Sequence, residues 1–290
     1  MYSQSWQVGL DIQMEAIRAL AVVRRRYGWQ LRYWWHQSLP SGVLREGILH
    51  QPDIVSEQLK LLHKQLPKNI SLRIALPTQR ILQHTIPTPD KRLREPARGG
   101  FINATASRVF PANNQALSLD YRTASASGSE IIITAARQTE VQQWQACLNQ
   151  AGLPAHVIDI TPCALRYMAA AAGLSGNYWL VHRLVDEWLW VSSSDMPFDY
   201  GVIVPDGDSD GPHGQRTNTT DPLAQLYIRL ASAHDSPVRV YYSSLFEEPL
   251  PDNMMAWSPF AAFAQYQPPL PPLPAAFTLA GGLALRPADY

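Results

Sequence analysis

Cysteine is scarce in this chain, with only two among 290 residues. Two cysteines cannot form a disulfide framework, and neither they nor the eight histidines have the spacing of zinc ligands. We therefore expect Cys147 and Cys163 to be reduced thiols in a core, and we expect no metal site.

A surplus of one charge is also missing, since 24 Lys and Arg balance 24 Asp and Glu. This balance argues against a whole-molecule field that would steer the protein to nucleic acid or anionic lipid. No window reaches the roughly 18 uncharged apolar residues that span a bilayer, and residues 1–7 lack the pattern of a signal peptide. The sequence therefore predicts a cytoplasmic protein that would contact a membrane only through a partner.

The most informative segment lies at the start of the chain. An apolar strand containing Gly9-Leu10-Asp11-Ile12 turns and returns as a second apolar strand at Ala19–Val23. This opening resembles that of actin-superfamily ATPases, in which a glycine after the aspartate lets backbone N–H groups close on a phosphate. Here Gln13 stands at that position, and its side chain would lie where the phosphate should bind.

The rest of the first 81 residues indicates a sheet covered by a helix. Apolar residues at spacings of three and four predict a helix over 55–66, and 71–76 reads as a further strand. Alternation in 29–35 predicts a third strand with four large residues on one face. These residues are Trp29, Leu31, Tyr33 and Trp35.

Residues 82–157 have the pattern of a separate small α+β subdomain. Strands are predicted at 82–86, 117–122 and 130–135, and helices at 95–109 and from 139 onward. A further strand at 156–160 and a helix after Thr161 follow this region.

The second half is less strongly patterned. Residues 178–192 and 198–204 predict a strand hairpin, and 206–220, dense in Asp, Gly, Ser and Asn, predicts a mobile surface loop. A helix is predicted after Pro222 and a strand at 238–242.

A proline-rich segment, Pro268–Pro274, precedes the last predicted helix at Phe277–Arg286. We interpret the segment as a stiff extended spacer that holds this helix on the second lobe. The alternative is a ligand for an SH3-type domain.

Together these segments resemble the PilM family of type IV pilus assembly proteins. Each short match is weak by itself, but they span nearly the whole chain in the order of the family. The matching segments are Gly9–Ile12 with Ala19–Val23, Leu39–Gly42, Gly47–Leu49, Ile86–Pro87, Ala104–Pro111, Leu119–Tyr121, Ala135–Arg137, Ala151–Leu153, Pro268–Pro272 and Ala280–Arg286.

The resemblance implies an actin-like α/β fold of the FtsA/PilM type, with two lobes, an inserted small α+β subdomain and a reduced second lobe. It divides the chain into a first lobe (1–81), the inserted subdomain (82–157), a helix that completes the first lobe (158–176) and the second lobe (177–290). The second lobe includes the 206–220 loop and the proline-rich segment.

The resemblance also implies a cytosolic scaffold that binds the N-terminal cytoplasmic tail of a single-span inner-membrane protein of the PilN/HofN type. The pair would belong to a pilus or DNA-uptake machine, with a role in the use of extracellular DNA as a nutrient. Self-association stays open.

Three positions decide whether the chain has kept nucleotide chemistry. Besides Gln13, the alignment places His182 where nucleotide-binding members carry an aspartate, and Ser243-Ser244 where they carry a Gly-Gly turn. Only Asp11 is retained, and one carboxylate without a phosphate cradle does not hold Mg-ATP. We therefore expect a vestigial nucleotide site, no cofactor and no enzyme activity, with an active ATPase as the alternative.

No other pattern indicates catalysis. Asp186-Glu187 is an acidic pair, but neighbours on a strand point to opposite faces, so we expect a solvated turn. His182 on an apolar strand is read as a hydrogen-bonded core histidine.

Direct DNA binding is a separate alternative. Arg24-Arg25-Arg26-Tyr27 with Arg32, Trp34 and Trp35 mixes cations with stacking rings, as in single-strand binders. Because net charge is zero and no groove-reading motif appears, we favour a hairpin tip with solvated arginines.

A short tail with apolar anchors needs a preformed cleft. In PilM-type proteins this cleft lies where the inserted subdomain meets the first lobe. Matching the family pattern names five apolar residues as its lining, with the core of the subdomain as the alternative for each. They are Leu82, Ile86, Phe101, Val109 and Phe110.

Overall fold

The computed structural model describes residues 5–90, 92–110, 116–124, 128–204, 222–232 and 238–288, so the loop predicted at 206–220 lies outside the described residues. The strands are β1 Trp6–Ile12, β2 Ala16–Arg25, β3 Gly28–Ser38, β4 Leu44–Arg45, β5 Ile48–Leu49, β6 Ile70–Leu76, β7 Ile81–Pro87, β8 Leu117–Thr123, β9 Glu130–Arg137, β10 Val157–Ile160, β11 Trp179–Arg183, β12 Trp188–Ser192, β13 Tyr200–Ile203, β14 Val240–Ser244, β15 Met255–Ala256 and β16 Phe263–Tyr266. The helices are α1 Pro52–His63, α2 Ala97–Val109, α3 Gln138–Gln150, α4 Thr161–Ala171, α5 Pro222–Ser232 and α6 Thr278–Ala284.

A six-stranded sheet, with strand order β10-β6-β1-β2-β3-β16, forms the centre of the first lobe. Both of its faces are covered, because every residue of β2 from Ala16 to Val23 is buried. Helices α1 and α3 supply the core on one face, and α4 and α6 supply the core on the other. Cys147 and Cys163 are free, buried thiols, as predicted.

Strand β3 does not present its large residues on one face. The register with β2 shifts at Arg32, so that Ala21 lies opposite Tyr33 but Val22 lies opposite Leu31. A bulge of this kind reverses the alternation of side chains beyond it. Leu31 therefore packs with α4 and α6, whereas Tyr33 and Trp35 pack against the opposite core. The predicted common face of the four residues is wrong.

The inserted subdomain is a three-stranded antiparallel sheet in the order β7-β9-β8. Helix α2 packs on one face of this sheet through Ile102 and Ala106, which contact Ile131 and Ile133 of β9 in one cluster. The other face of the sheet points toward the ends of β6 and β10 in the first lobe.

The second sheet has the order β13-β12-β11-β14-β15. Residues 178–204 thus form three antiparallel strands, one more than the predicted hairpin. Helix α5 buries Leu223, Leu226 and Leu230 against this sheet. Across the described parts of the chain, no helix has the length and apolar character that crossing a bilayer requires.

The last helix packs on the first lobe, so the expectation that it lies on the second lobe is wrong. Helix α6 contacts β1, β2, β6 and α4, and β16 pairs with β3 in the first-lobe sheet. Glycine makes this packing possible, because a Cβ on Gly9 would lie 1.9 Å from the Ala280 carbonyl oxygen. The chain therefore returns to the first lobe after β15.

Candidate functional site

Asp11 lies at the end of β1 and is almost completely buried, with 4% of its surface exposed. The Gln13 side-chain amide donates a hydrogen bond to its Oδ1 at 2.7 Å. Burial raises the pKa of the Asp11 carboxyl, although Arg18 and the Gln13 bond act in the opposite direction. The side chain of Gln13 is thus held against the Asp11 carboxylate, and its predicted position in the place of a phosphate stays a prediction.

Arg18 is the cation of this region, and sequence reasoning missed it. It lies opposite Asp11 in the β1–β2 register and is 8% exposed. Burial lowers the pKa of Arg18, against the effect of Asp11 and Glu15. The signal in the sequence is the one arginine within the otherwise apolar run 16–23 of β2.

His182, on β11, is a residue of the second lobe that lies near Arg18. It is fully buried, and its Nδ1 hydrogen-bonds the Ser243 hydroxyl of the neighbouring strand at 2.8 Å. Burial and the positive charge of Arg18 lower the pKa of His182 to about 3, so the ring is neutral at physiological pH. Ser244 is also buried, and its hydroxyl accepts the Phe246 N–H at 2.9 Å.

The residues at this site do not fit a magnesium–nucleotide complex. Mg²⁺ prefers carboxylate, phosphate and water oxygens, but one Asp11 oxygen already accepts the Gln13 amide and a guanidinium lies on the adjacent strand. Neutral His182 adds no carboxylate, and Gln13 replaces the glycine that a backbone phosphate cradle needs. No cluster of three or more metal-ligating side chains occurs among the described residues.

Glu187 departs from the predicted solvated turn. Asp186 is exposed, but Glu187 is only 7% exposed and accepts a hydrogen bond from the side-chain amide of Gln79 in the first lobe. Burial, together with the charge of Asp186, raises the pKa of Glu187 to about 7, although the Gln79 bond opposes this. The contact joins the two lobes.

We expect the burial of Glu187 to make stability depend on pH. The folded chain holds the Glu187 proton up to about pH 7, whereas the unfolded chain releases it near the ordinary glutamate value of 4.5. The free energy of unfolding should therefore fall as pH rises between these values, by about 1–3 kcal/mol. Urea unfolding at pH 5 and pH 8 measures the slope, and Glu187→Gln should flatten it. Glu57→Gln, on the surface of α1, is the control; equal slopes in all three proteins would contradict the assignment.

The cleft between the inserted subdomain and the first lobe contains a cavity of about 120 Å³. One wall is the face of the β8–β9 sheet that points away from α2, and the other is formed by the ends of β6 and β10 and the start of β7. The residues that line it are Leu76, Ile81, Ser118, Leu119, Asp120, Arg122, Thr134, Ala136, Val141, Ile158, Asp159 and Ile160.

A wider groove of about 670 Å³ lies on the other side of Arg122, which lines both spaces. Its walls are the end of β8, helix α4 and the loop Ser194–Phe198 of the second lobe. Arg166 of α4 donates to the Met196 carbonyl at 3.2 Å and lies 4.9 Å from the centre of the Phe198 ring. The groove thus touches all three parts of the fold.

Arg122 is held in place by Asp159, a buried carboxylate at the end of β10. Its Nη2 donates to Asp159 Oδ1 at 3.0 Å, and its Nη1 lies 2.6 Å from the Cys163 sulfur. Arg286, after α6, donates to Asp159 Oδ2 at 2.6 Å, and the Tyr167 hydroxyl donates to the same oxygen at 3.2 Å. One carboxylate therefore links the inserted subdomain, the first lobe and the C-terminal segment.

None of the five apolar residues predicted for the cleft lines either space. Ile86 and Phe110 are buried with Ile131 and Ile133 under α2, which is the core alternative. Leu82, Phe101 and Val109 are exposed at 44%, 48% and 37%. A role for these residues in binding a peptide stays a prediction.

The alternation of polar and apolar residues in β8 is a sequence pattern that indicates the cleft residues. In β8, Ser118, Asp120 and Arg122 alternate with Leu117, Leu119 and Tyr121, and the second set packs under α2. The polar set therefore had to face away from α2, toward the first lobe. Which face the first lobe covers is decided only by tertiary packing.

Comparison with known proteins gives the family of this chain. A family model described as type IV pilus assembly protein PilM matches residues 9–176. The DNA utilization protein HofM of Escherichia coli (strain K12) is 26% identical over 281 residues, which cover 97% of this chain and 96% of that protein.

Solved structures agree on the fold. A chain of the PilM-PilN type IV pilus biogenesis complex matches with a TM-score of 0.72 at 20% identity, and the match covers 99% of this chain and 99% of that one. The cytoplasmic domain of EpsL, an inner-membrane component of the type II secretion system of Vibrio cholerae, matches with a TM-score of 0.55 at 11% identity and covers 98% of this chain and 97% of that one. The protein therefore belongs to the PilM family of type IV pilus assembly proteins and has the actin-like α/β fold that its sequence predicted.

Proposed function

We propose that this protein is a catalytically silent cytoplasmic scaffold of a type IV pilus-like or DNA-uptake machine. It binds the N-terminal tail of a PilN/HofN-like single-span inner-membrane protein and reaches the inner membrane through it. The observation that carries this proposal is the cleft between the inserted subdomain and the first lobe, in a chain of the PilM family. The matched PilM-PilN complex and the HofM relative support the choice of partner and machine.

The chemistry of the cleft suits a short segment with apolar anchors. Its walls combine apolar side chains, among them Ala136, Val141 and Ile158, with a few polar groups. Apolar walls bind by removing surface from water, and a fixed polar group sets the orientation of an extended peptide. Arg122, held by Asp159, is such a group, so its position is set before the peptide arrives.

Filling the cleft should weaken tail binding. We expect Ser118→Trp, which places an indole on the cleft face of β8, to weaken the affinity for a labelled PilN/HofN-like tail peptide by about tenfold or more. Fluorescence anisotropy measures the affinity. The matched control is Ser107→Trp on the exposed side of α2, which should leave it unchanged.

The same assay distinguishes binding in the cleft from binding at the exposed predicted residues Leu82, Phe101 and Val109. If the tail lies beside the exposed residues of α2, Phe101→Asp should weaken binding and Ser118→Trp should not. Full affinity in the Ser118→Trp protein would contradict the cleft as the binding site.

The proposal of catalytic silence rests on Gln13, Arg18 and His182 at the vestigial site. Isothermal titration with ATP or ADP and magnesium should give no binding in the micromolar range, because no phosphate cradle or second carboxylate is present among the described residues of this site. Micromolar, magnesium-dependent binding that disappears in Asp11→Asn would instead support an active ATPase.

A further inference from the structure

Charge is unevenly distributed along this electrically balanced chain. No acidic residue occurs between Glu15 and Glu46, a stretch that contains six arginines. None occurs between Asp252 and Asp289 either. The first stretch forms β2 and β3, and the second forms β16, which pairs with β3 at the edge of the first-lobe sheet. Strands β2 and β3 thus bring cations toward this edge, and none of the three strands contains a carboxylate.

The cations are concentrated where β2 turns into β3. We name residues 24–28 the arginine tip. Arg24, Arg25 and Arg26 are exposed, and 75% of Tyr27 is exposed. Gly28, with φ of +129°, makes the turn. Among the described residues, no carboxylate forms a salt bridge with Arg24 or Arg26.

Aromatic rings accompany these guanidinium groups. Arg24 lies 5.1 Å from the centre of the Trp29 ring, and Arg26 lies 5.5 Å from that of Tyr27. On the adjoining β16 and the segment after it, Tyr266 and Leu270 are 44% and 43% exposed. The tip and the adjoining strand edge therefore present exposed cations together with exposed aromatic and aliphatic groups.

We propose that the arginine tip binds the anionic headgroups of a phospholipid membrane. Guanidinium groups match phosphate with paired N–H donors, and tyrosine favours the boundary between headgroups and acyl chains. A hairpin turn is convex and can touch a flat surface. Single-stranded nucleic acid instead needs a groove and free ring faces, whereas here guanidinium groups already lie over Trp29 and Tyr27.

Lipid contact at the tip would not compete with tail binding in the cleft. The β2–β3 turn lies at the end of the sheet where β1 begins, because β2 runs antiparallel to β1. The cleft lies at the ends of β6 and β10, which run parallel to β1. The inference rests on the proposed function only in that a membrane-anchored partner would keep the tip close to lipid.

Co-sedimentation of the full chain with vesicles tests the proposal without the partner. The protein should bind vesicles rich in phosphatidylglycerol and not phosphatidylcholine vesicles, and high salt should weaken the binding. The triple change Arg24→Gln, Arg25→Gln, Arg26→Gln should weaken it by about ten- to a hundredfold, and Tyr27→Ser by less. Arg92→Gln, Arg94→Gln, Arg108→Gln removes the same charge from the inserted subdomain and should leave the binding unchanged.

Two results would overturn the proposal. One is vesicle binding that is absent or is unaffected by the triple change at the tip. The other is tip-dependent binding of an oligothymidine strand with no binding to anionic vesicles, which would make the tip a nucleic-acid site. The affinity of the tip variant for the tail peptide should equal that of the parent chain, so a failure here is distinguishable from a failure of the proposed function.

Discussion

Replacing Asp159 by asparagine is expected to lower the free energy of unfolding by about 3–5 kcal/mol, the range for removing one partner of a buried ion pair. Burial alone would raise the pKa of this carboxyl, but Arg122 and Arg286 hold it below the usual value, so the group is charged. Its side chain is 1% exposed, whereas those of Arg122 and Arg286 are 26% and 12% exposed. Asparagine keeps the shape and leaves two guanidinium groups without their charge partner.

Urea unfolding at neutral pH measures this effect, and Asp252→Asn on the surface is the control. A second variant separates the ion pair from other effects, because Asp159→Asn combined with Arg122→Met should lose less than the sum of the single changes. A loss below about 1 kcal/mol for Asp159→Asn, the level of an exposed pair, would show that Asp159 does not link the three parts of the fold.

Replacing Gly282 by alanine is expected to lower the free energy of unfolding by about 3 kcal/mol or more, which is the upper end of the usual range for overpacking a core. A Cβ at this position would lie 1.8 Å from the Ala164 carbonyl oxygen and 2.6 Å from the carbonyl carbon. Both atoms belong to the backbone of α4, so no side-chain rotation relieves the overlap. Helices α4 and α6 would have to separate, and the core between them would open.

Two other glycines provide controls for this change. At Gly281 the nearest atoms belong to the flexible side chain of Met168, so Gly281→Ala should cost less. Gly100 lies inside α2 with nothing within 4 Å of an added Cβ, so Gly100→Ala should stabilise the protein by about 0.5–1 kcal/mol. If Gly282→Ala unfolds at the same urea concentration as the parent chain, the close packing of α6 on α4 is wrong.

Local patterns predicted most of the secondary structure correctly. The stripe in α1, the strand β6 and the elements of the inserted subdomain lie within a few residues of their predicted bounds. Their periods of 3.6 and 2 residues are properties of the local sequence. The retained Asp11 and the bulky Gln13 were likewise readable from the chain, because residues two apart at the end of a strand lie on the same side.

Positions that depend on distant segments could not be read in the same way. The sequence does not show which face of the subdomain sheet α2 covers, and the prediction of the five cleft residues depended on that face. Glu187 is buried where it meets Gln79 of the other lobe. The bulge at Arg32 reversed the faces of β3, a change that alternation alone does not reveal.

The sequence by itself determined most of the elements, the family pattern and the residue types at Gln13, His182 and Ser243-Ser244, because each can be read from a short segment of the chain. Only the tertiary structure decided that α6 returns to the first lobe, that Asp159 joins three parts of the fold and that the cleft is lined by the polar face of β8. The physical reason is that burial and close packing arise between segments far apart in the chain, where no local period records which surfaces will meet.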